Sequence, residues 1–237
     1  MDLLPSNTLF VTGTDTSVGK TYVCARLLEF FKDKGIQAGY QKWVATGTAN
    51  GLPEDLAICL GAAGISPKPE FVDQHVPYSF RFPASPHLAA AMEDRIVEPE
   101  VIIENYITLA GKYEYLIVEG VGGLMVPLRR DLLLADLLAR LRPLTLVVAR
   151  SGLGTLNHTL LTLEALRKRE IPVLGVVFSD ADTEEDERLV HDNMQTIEEI
   201  GLVRVLGRLQ RHQENEQAKT AFVPFAQAIL EHFGQRK

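Results

Sequence analysis

The sequence has 237 residues, 46% hydrophobic and 23% charged, which supplies the apolar material for one large globular domain over 1–237 and argues against a fibrous or disordered segment. A formal net charge of −7, with no dense Lys/Arg block, argues against a nucleic-acid surface, so small anionic ligands need local positive sites. Only Cys24 and Cys59 are present, outside any CxxC or Cys/His cluster, and neither a basic leader nor an apolar run of about 18 residues is visible; the expectation is a cytoplasmic protein without disulfides, zinc or a membrane segment.

In chain order, the apolar run Thr8 to Thr12 predicts a first strand, and Gly19 to Lys34 predicts a helix with Cys24 and the Phe30-Phe31 pair in the core. A second strand is expected over Gln37 to Lys42 and a short helix over Asp55 to Leu60, with Cys59 buried in it. The segment Gly64 to Pro86 carries Pro67, Pro69, Pro77, Pro83 and Pro86, a density that disfavours regular structure and predicts an ordered functional loop. Strands follow over Tyr115 to Glu119, Leu144 to Ala149, Val173 to Phe178 and Val203 to Leu206, with a helix over Thr155 to Arg169. Arg208 to Lys219 reads as a solvated loop before a final helix, Ala221 to Phe233. Six short apolar strands interleaved with amphipathic segments predict an α/β protein: a mostly parallel sheet flanked by helices on both faces, in the three layers of a P-loop NTPase fold.

The strongest chemical signal is Gly13-Thr14-Asp15-Thr16-Ser17-Val18-Gly19-Lys20-Thr21, placed between the first strand and the first helix. Successive backbone NH groups in such a turn, with the positive end of the next helix, enclose polyphosphate oxygens; Lys20 would bridge outer phosphates and Thr21 would offer its hydroxyl to magnesium. Five residues separate Gly13 from Gly19, where the usual pattern has four. The bland reading is a Gly/Thr-rich turn with a surface lysine, against which the strand, loop and helix context weighs. A P-loop needs a second magnesium anchor at the end of a neighbouring strand. Glu119 is placed for that, leading into a glycine-rich turn through Gly122 where backbone can approach a phosphate or substrate. Asp55 is a candidate third metal carboxylate or an ordinary helix-terminal acid.

Beyond these residues, the sequence resembles the dethiobiotin synthetase family over most of its length. Four segments carry the resemblance in order: Val11-Thr12-Gly13-Thr14-Asp15-Thr16, Gly39-Tyr40-Gln41-Lys42-Trp43-Val44-Ala45-Thr46-Gly47, Val118-Glu119-Gly120-Val121-Gly122-Gly123 and Gly152-Leu153-Gly154-Thr155-Leu156-Asn157-His158. Pro77-Tyr78-Ser79-Phe80 and Ser85-Pro86-His87 resemble the family's substrate-side loop.

The resemblance implies a cyclo-ligase of biotin biosynthesis. In it 7,8-diaminopelargonic acid takes up CO2 as a carbamate, ATP or another nucleoside triphosphate phosphorylates the carbamate with Mg2+, and the second amine closes the ring. It further implies that Lys42 contacts the carbamate, that Thr16 and Thr46 bond substrate or phosphate, and that Gly154, Thr155, Leu156 and Asn157 receive the substrate carboxylate across a homodimer interface. Three positions and one segment depart from the family. Ser17 stands where an acid is common, and Trp43 where proline is frequent, which would alter the substrate-side wall. Ser179 replaces an asparagine that reads the adenine edge, and Gly207 to Arg211 lacks a proline near the base. A hydroxyl cannot offer the paired donor and acceptor of an amide, so the expectation is relaxed or altered nucleotide choice.

Three other classes compete. A partitioning-type P-loop switch ATPase usually carries an extra lysine early in the loop, which Thr14-Asp15-Thr16 lacks; an amidotransferase of the cobyrinate type would need a glutaminase domain for which 237 residues leave no room. A silent binding module has no electrostatic reason to keep Lys20, Thr21, Lys42 and Glu119 together.

Overall fold

The computed structural model describes residues 5–48, 51–66, 68, 71–180, 185–210 and 215–234. The N-terminal residues 1–4, Pro67, Pro69 and Arg211 lie outside the described residues. In chain order the elements are β1 (Thr8–Gly13), α1 (Lys20–Asp33), β2 (Ala38–Lys42), β3 (Val44–Thr46), α2 (Glu54–Ala63), α3 (Val72–His75), β4 (Tyr78–Phe80), α4 (Pro86–Met92) and α5 (Pro99–Ala110). They continue with β5 (Tyr115–Gly123), β6 (Pro127–Arg129), β7 (Leu132–Leu133), α6 (Leu134–Leu141), β8 (Leu144–Arg150), α7 (Thr155–Lys168), β9 (Val173–Ser179), α8 (Glu187–Gly201), β10 (Val205–Leu209) and α9 (Asn215–Gly234).

The six strands expected from the sequence form one sheet, ordered β10-β9-β8-β1-β5-β2, with every neighbouring pair parallel. Parallel strands buried on both faces need apolar residues at successive positions, because side chains alternate between faces. In β1, Leu9 and Val11 pack with Leu27, Phe31 and Phe222 on one face, while Phe10 packs with Trp43, Leu134 and Phe178 on the other. Two cores thus separate three layers. The chain leaves central β1 first toward β2 and later toward β8, and such a switch opens a crevice beyond the carboxyl ends of the strands. Gly13, Lys42, Glu119 and Ser179 all stand at or near that edge.

Several boundaries differ from expectation. The proline-rich stretch from Gly64 is not wholly irregular: it holds α3 and β4, which pairs in parallel with β3 through Val44↔Tyr78 and Thr46↔Phe80. Pro77 precedes that strand and Pro83 follows it, so neither interrupts the pairing. Glu119 lies within β5 rather than at its end, because the strand resumes pairing at Gly123↔Gly13 past an irregularity where Gly122 has φ 58°. Strand β10 begins two residues late, and α9 starts at Asn215 rather than Ala221. A polar surface concealed that start, although Ala218 is buried and the Lys219 ammonium bonds Glu29 of α1 at 2.8 Å. Both cysteines lie in helices, buried and free.

Candidate active site

The loop between β1 and α1 reverses direction through two left-handed residues, Ser17 (φ 57°) and Gly19 (φ 94°). Gly19 caps α1, and a side chain there would press on Ser179 Oγ, 2.5 Å from an added Cβ. Gly13 is equally constrained: a Cβ would sit within 3 Å of Val18 Cγ2, the Asp15 carbonyl and Lys20 Nζ. The loop is tied to β8 by Thr14 NH donating to the Val148 carbonyl at 3.0 Å. Asp15 accepts from Thr16 NH at 2.7 Å and meets Arg150 at 3.4 Å. Val18 is fully buried in the core and offers the site only its backbone.

A cavity of about 650 Å3 opens beside this loop. Its walls include Thr16, Ser17, Gly19, Lys20, Thr21, Lys42, Thr46, Asp55, Glu119, Gly122 and Ser179, bringing together most of the sequence candidates from α1, β2, β3, α2, β5 and β9. Gly13, Thr14, Asp15 and Val18 shape the loop without lining the cavity, and Gly154, Thr155, Leu156 and Asn157 stand apart at the start of α7. Tyr22, Val44, Val121, Asp180 and Leu209 line it unforeseen. Val44 and Val121 each lie two residues beyond a charged candidate on an extended chain, and Asp180 follows Ser179, so alternation and adjacency were the available signals. Trp43 is not part of the wall: it is fully buried, 4.7 Å from Phe10 between ring centroids, and its indole NH donates to Gln41 Oε1. Side chains on successive residues of an extended chain diverge, so Lys42 faces the cavity while Trp43 enters the core.

The charged groups form a connected cluster. Lys42 Nζ lies 2.7 Å from Glu119 Oε1 and 2.5 Å from Asp55 Oδ2. Thr21 Oγ1 lies 2.8 Å from Asp55 Oδ1 and 3.0 Å from Glu119 Oε1, and the Tyr40 hydroxyl donates to Glu119 Oε2 at 2.7 Å. The Tyr40 contact satisfies the second oxygen of a fully buried carboxylate, which sequence reasoning missed. Burial opposes the charge on Lys42, but Glu119 and Asp55 outweigh it and hold the ammonium above the ordinary lysine range. Lys20 is different. Its Nζ donates to the Asp15 carbonyl at 2.9 Å; burial lowers its pKa to about 8, with Lys42 adding to the shift and Glu119 opposing it. Thr21, Asp55 and Glu119 present hard oxygen donors at one spot, a set suited to magnesium rather than to zinc or copper.

The sheet order, the loop and the helix it caps define a P-loop NTPase fold. The MinC:MinD cell division complex of Aquifex aeolicus shares it with a TM-score of 0.61 over 95% of this chain and 96% of that one, a likeness of fold alone at 13% identity. A family model described as an AAA domain matches residues 7–219. The ATP-dependent dethiobiotin synthetase of Methanococcus vannielii is 40% identical over 199 residues, covering 84% of this chain and 91% of the relative. That of Methanocaldococcus jannaschii is 38% identical over 213 residues, covering 88% and 96%. The chain belongs to the dethiobiotin synthetase family, an enzyme family of the ligase class.

Proposed function

We propose that the chain, working as one domain, makes dethiobiotin from 7,8-diaminopelargonic acid, CO2 and a nucleoside triphosphate. The observation that carries this reading is the convergence of Lys20 and Lys42, 6% exposed each, with Glu119 and Asp55 in one cavity beside the phosphate loop. A carbamate anion must approach a polyphosphate anion, and fixed cations and NH dipoles in a water-poor site lower that cost. Loop NH groups and Lys20 hold the phosphates. Lys42, at the end of the edge strand β2, orients the carbamate oxygen toward the γ-phosphorus, and Thr16 and Thr46, which line the same cavity, bond substrate or phosphate. Transfer gives a carbamic-phosphoric anhydride; the second amine attacks its carbonyl carbon, the urea ring closes and phosphate departs. Thr21, Asp55 and Glu119 would hold magnesium, which when bound neutralises charge between phosphate oxygens.

We further infer a homodimer in which Gly154 to Asn157 of one subunit receives the substrate carboxylate held by the other. Two features support it: this helix start lies outside the chain's own cavity, and neighbouring Leu153 is 86% exposed. Ser179 packs against Gly19 and carries no amide, which supports acceptance of CTP and GTP beside ATP. Incubation with the diamine, labelled bicarbonate, magnesium and a nucleotide panel should put label into an acid-stable cyclic urea. No label with any nucleotide would overturn the reading, and strong preference for ATP over CTP and GTP would overturn the relaxed choice.

A further inference from the structure

Next to Ser179 the cavity wall carries a carboxylate, Asp180, that is 8% exposed. Three elements hold it. Its Oδ1 accepts from Ser151 Oγ, just beyond β8, and from Arg208 Nε of β10 at 2.8 Å. Arg208 is braced in turn by Glu187 of α8, at 2.7 and 2.8 Å from Nη1. The Asp180 NH donates to the Leu209 carbonyl at 3.0 Å, and Asn193 of α8 bonds the Ser151 carbonyl at 2.9 Å. Both contacts fall on Oδ1, so among the described residues Oδ2 has no hydrogen-bond donor. Asp180 and Leu209 line the cavity together with Ser179, whose own hydroxyl is packed toward Gly19.

An ionised carboxylate oxygen only accepts. Held rigidly at a cavity wall, it rewards an N–H donor and repels a carbonyl oxygen, and a fixed acceptor discriminates better than a mobile one because it cannot turn away. We propose that Asp180 is the residue that selects the nucleotide base, its free oxygen accepting from an exocyclic amino group. Adenine and cytosine, whose amino groups stand where hypoxanthine and uracil carry a carbonyl, are then taken ahead of those two bases. The inference rests on the reading that this cavity holds a nucleotide, and it sharpens relaxed choice into a rule: a base with an amino group at the position of adenine N6 or cytosine N4, not any base.

Matched pairs that exchange one amino group for a carbonyl test it. Calorimetric titration of the intact protein with magnesium and CDP, UDP, ADP or IDP should show the aminated member of each pair binding about tenfold tighter or more. Asp180→Asn should abolish or reverse the preference within each pair, because Ser151 and Arg208 hold the amide oxygen at the Oδ1 position and leave the NH2, a donor, toward the base. Equal affinities within the pairs in the wild-type protein would overturn the proposal without any variant, as would a preference that D180N leaves intact. Ring closure failing with every nucleotide, while the binding preference and its loss in D180N persist, would sink the proposed activity and leave the base rule standing.

Discussion

The two ends of the cavity are built on different principles. At the phosphate end the Lys42 ammonium, two carboxylates and the Thr21 hydroxyl, from β2, α2, β5 and α1, form one bonded cluster, Tyr40 closes the shell around Glu119, and Lys20 is held beside them by the Asp15 carbonyl. At the other end a single carboxylate, Asp180, is fixed by Ser151 and Arg208 beside an apolar Leu209. A dense charge cluster serves any polyphosphate, whereas a lone oriented acceptor is sensitive to the identity of the group that meets it. Changes at the first end should therefore alter all nucleotides alike, and changes at the second should alter their ratios.

The largest effect is expected from Lys20→Ala, which should lower kcat/KM about a thousandfold and weaken ATP, CTP and GTP to the same degree, checked by steady-state kinetics with each. Unequal losses would break the comparison. Lys42→Ala should cut ring closure at least a hundredfold while nucleotide affinity changes little; loss of binding instead would reassign Lys42 to the phosphates. In the metal-free protein it also leaves Glu119 and Asp55 facing each other. The cost is about 3 kcal/mol, at the low end for a buried pair because Asp55 is only half-buried, and added magnesium should restore much of the lost Tm.

The pH dependence is a medium-sized effect of defined sign. Lys20 titrates near 8 when folded and at 10.5 ordinarily, so between those values the ligand-free folded chain binds fewer protons than the unfolded one. Stability should rise with pH across that window as the buried ammonium loses its charge. Nucleotide affinity should fall over the same window, by up to about tenfold per pH unit above 8, and binding at pH 9 should take up close to one proton, readable from titrations in buffers of different ionisation enthalpy. Proton release would contradict the assignment. The smallest effect on activity is expected from Trp43→Phe, which should lower stability by about 1–2 kcal/mol yet leave KM for the diamine unchanged, since the ring lies in the core. A shifted KM would return Trp43 to the substrate wall.

The phosphate end was readable in the chain because its geometry is local: Gly13 to Thr21 needs only a strand, a tight turn and a helix start, and each has its own residue signature. Glu119 and Lys42 were legible as charges closing apolar strands. That β5 continues past Glu119 was not, since the continuation depends on Gly123 meeting Gly13 across the sheet. Tyr40 was hidden in the same way. Its hydroxyl meets Glu119 because Lys42 pairs in register with it, and register is a property of two strands together. At the base end attention fell on Ser179 for the amide it lacks, while Asp180 acquires its setting from Ser151 and Arg208, 29 and 28 residues away. The short pairs β3 with β4 and β6 with β7 carry too few residues for alternation to show.

The fate of one oxygen atom decides between carbamate phosphorylation and simple nucleotide hydrolysis. With freshly dissolved 18O-labelled bicarbonate, the diamine, magnesium and ATP, the released phosphate should carry one oxygen from CO2, in one-to-one yield with the cyclic urea. Phosphate whose new oxygen comes only from water, with no cyclic urea formed, would contradict the account and return the chain to the P-loop switch ATPases.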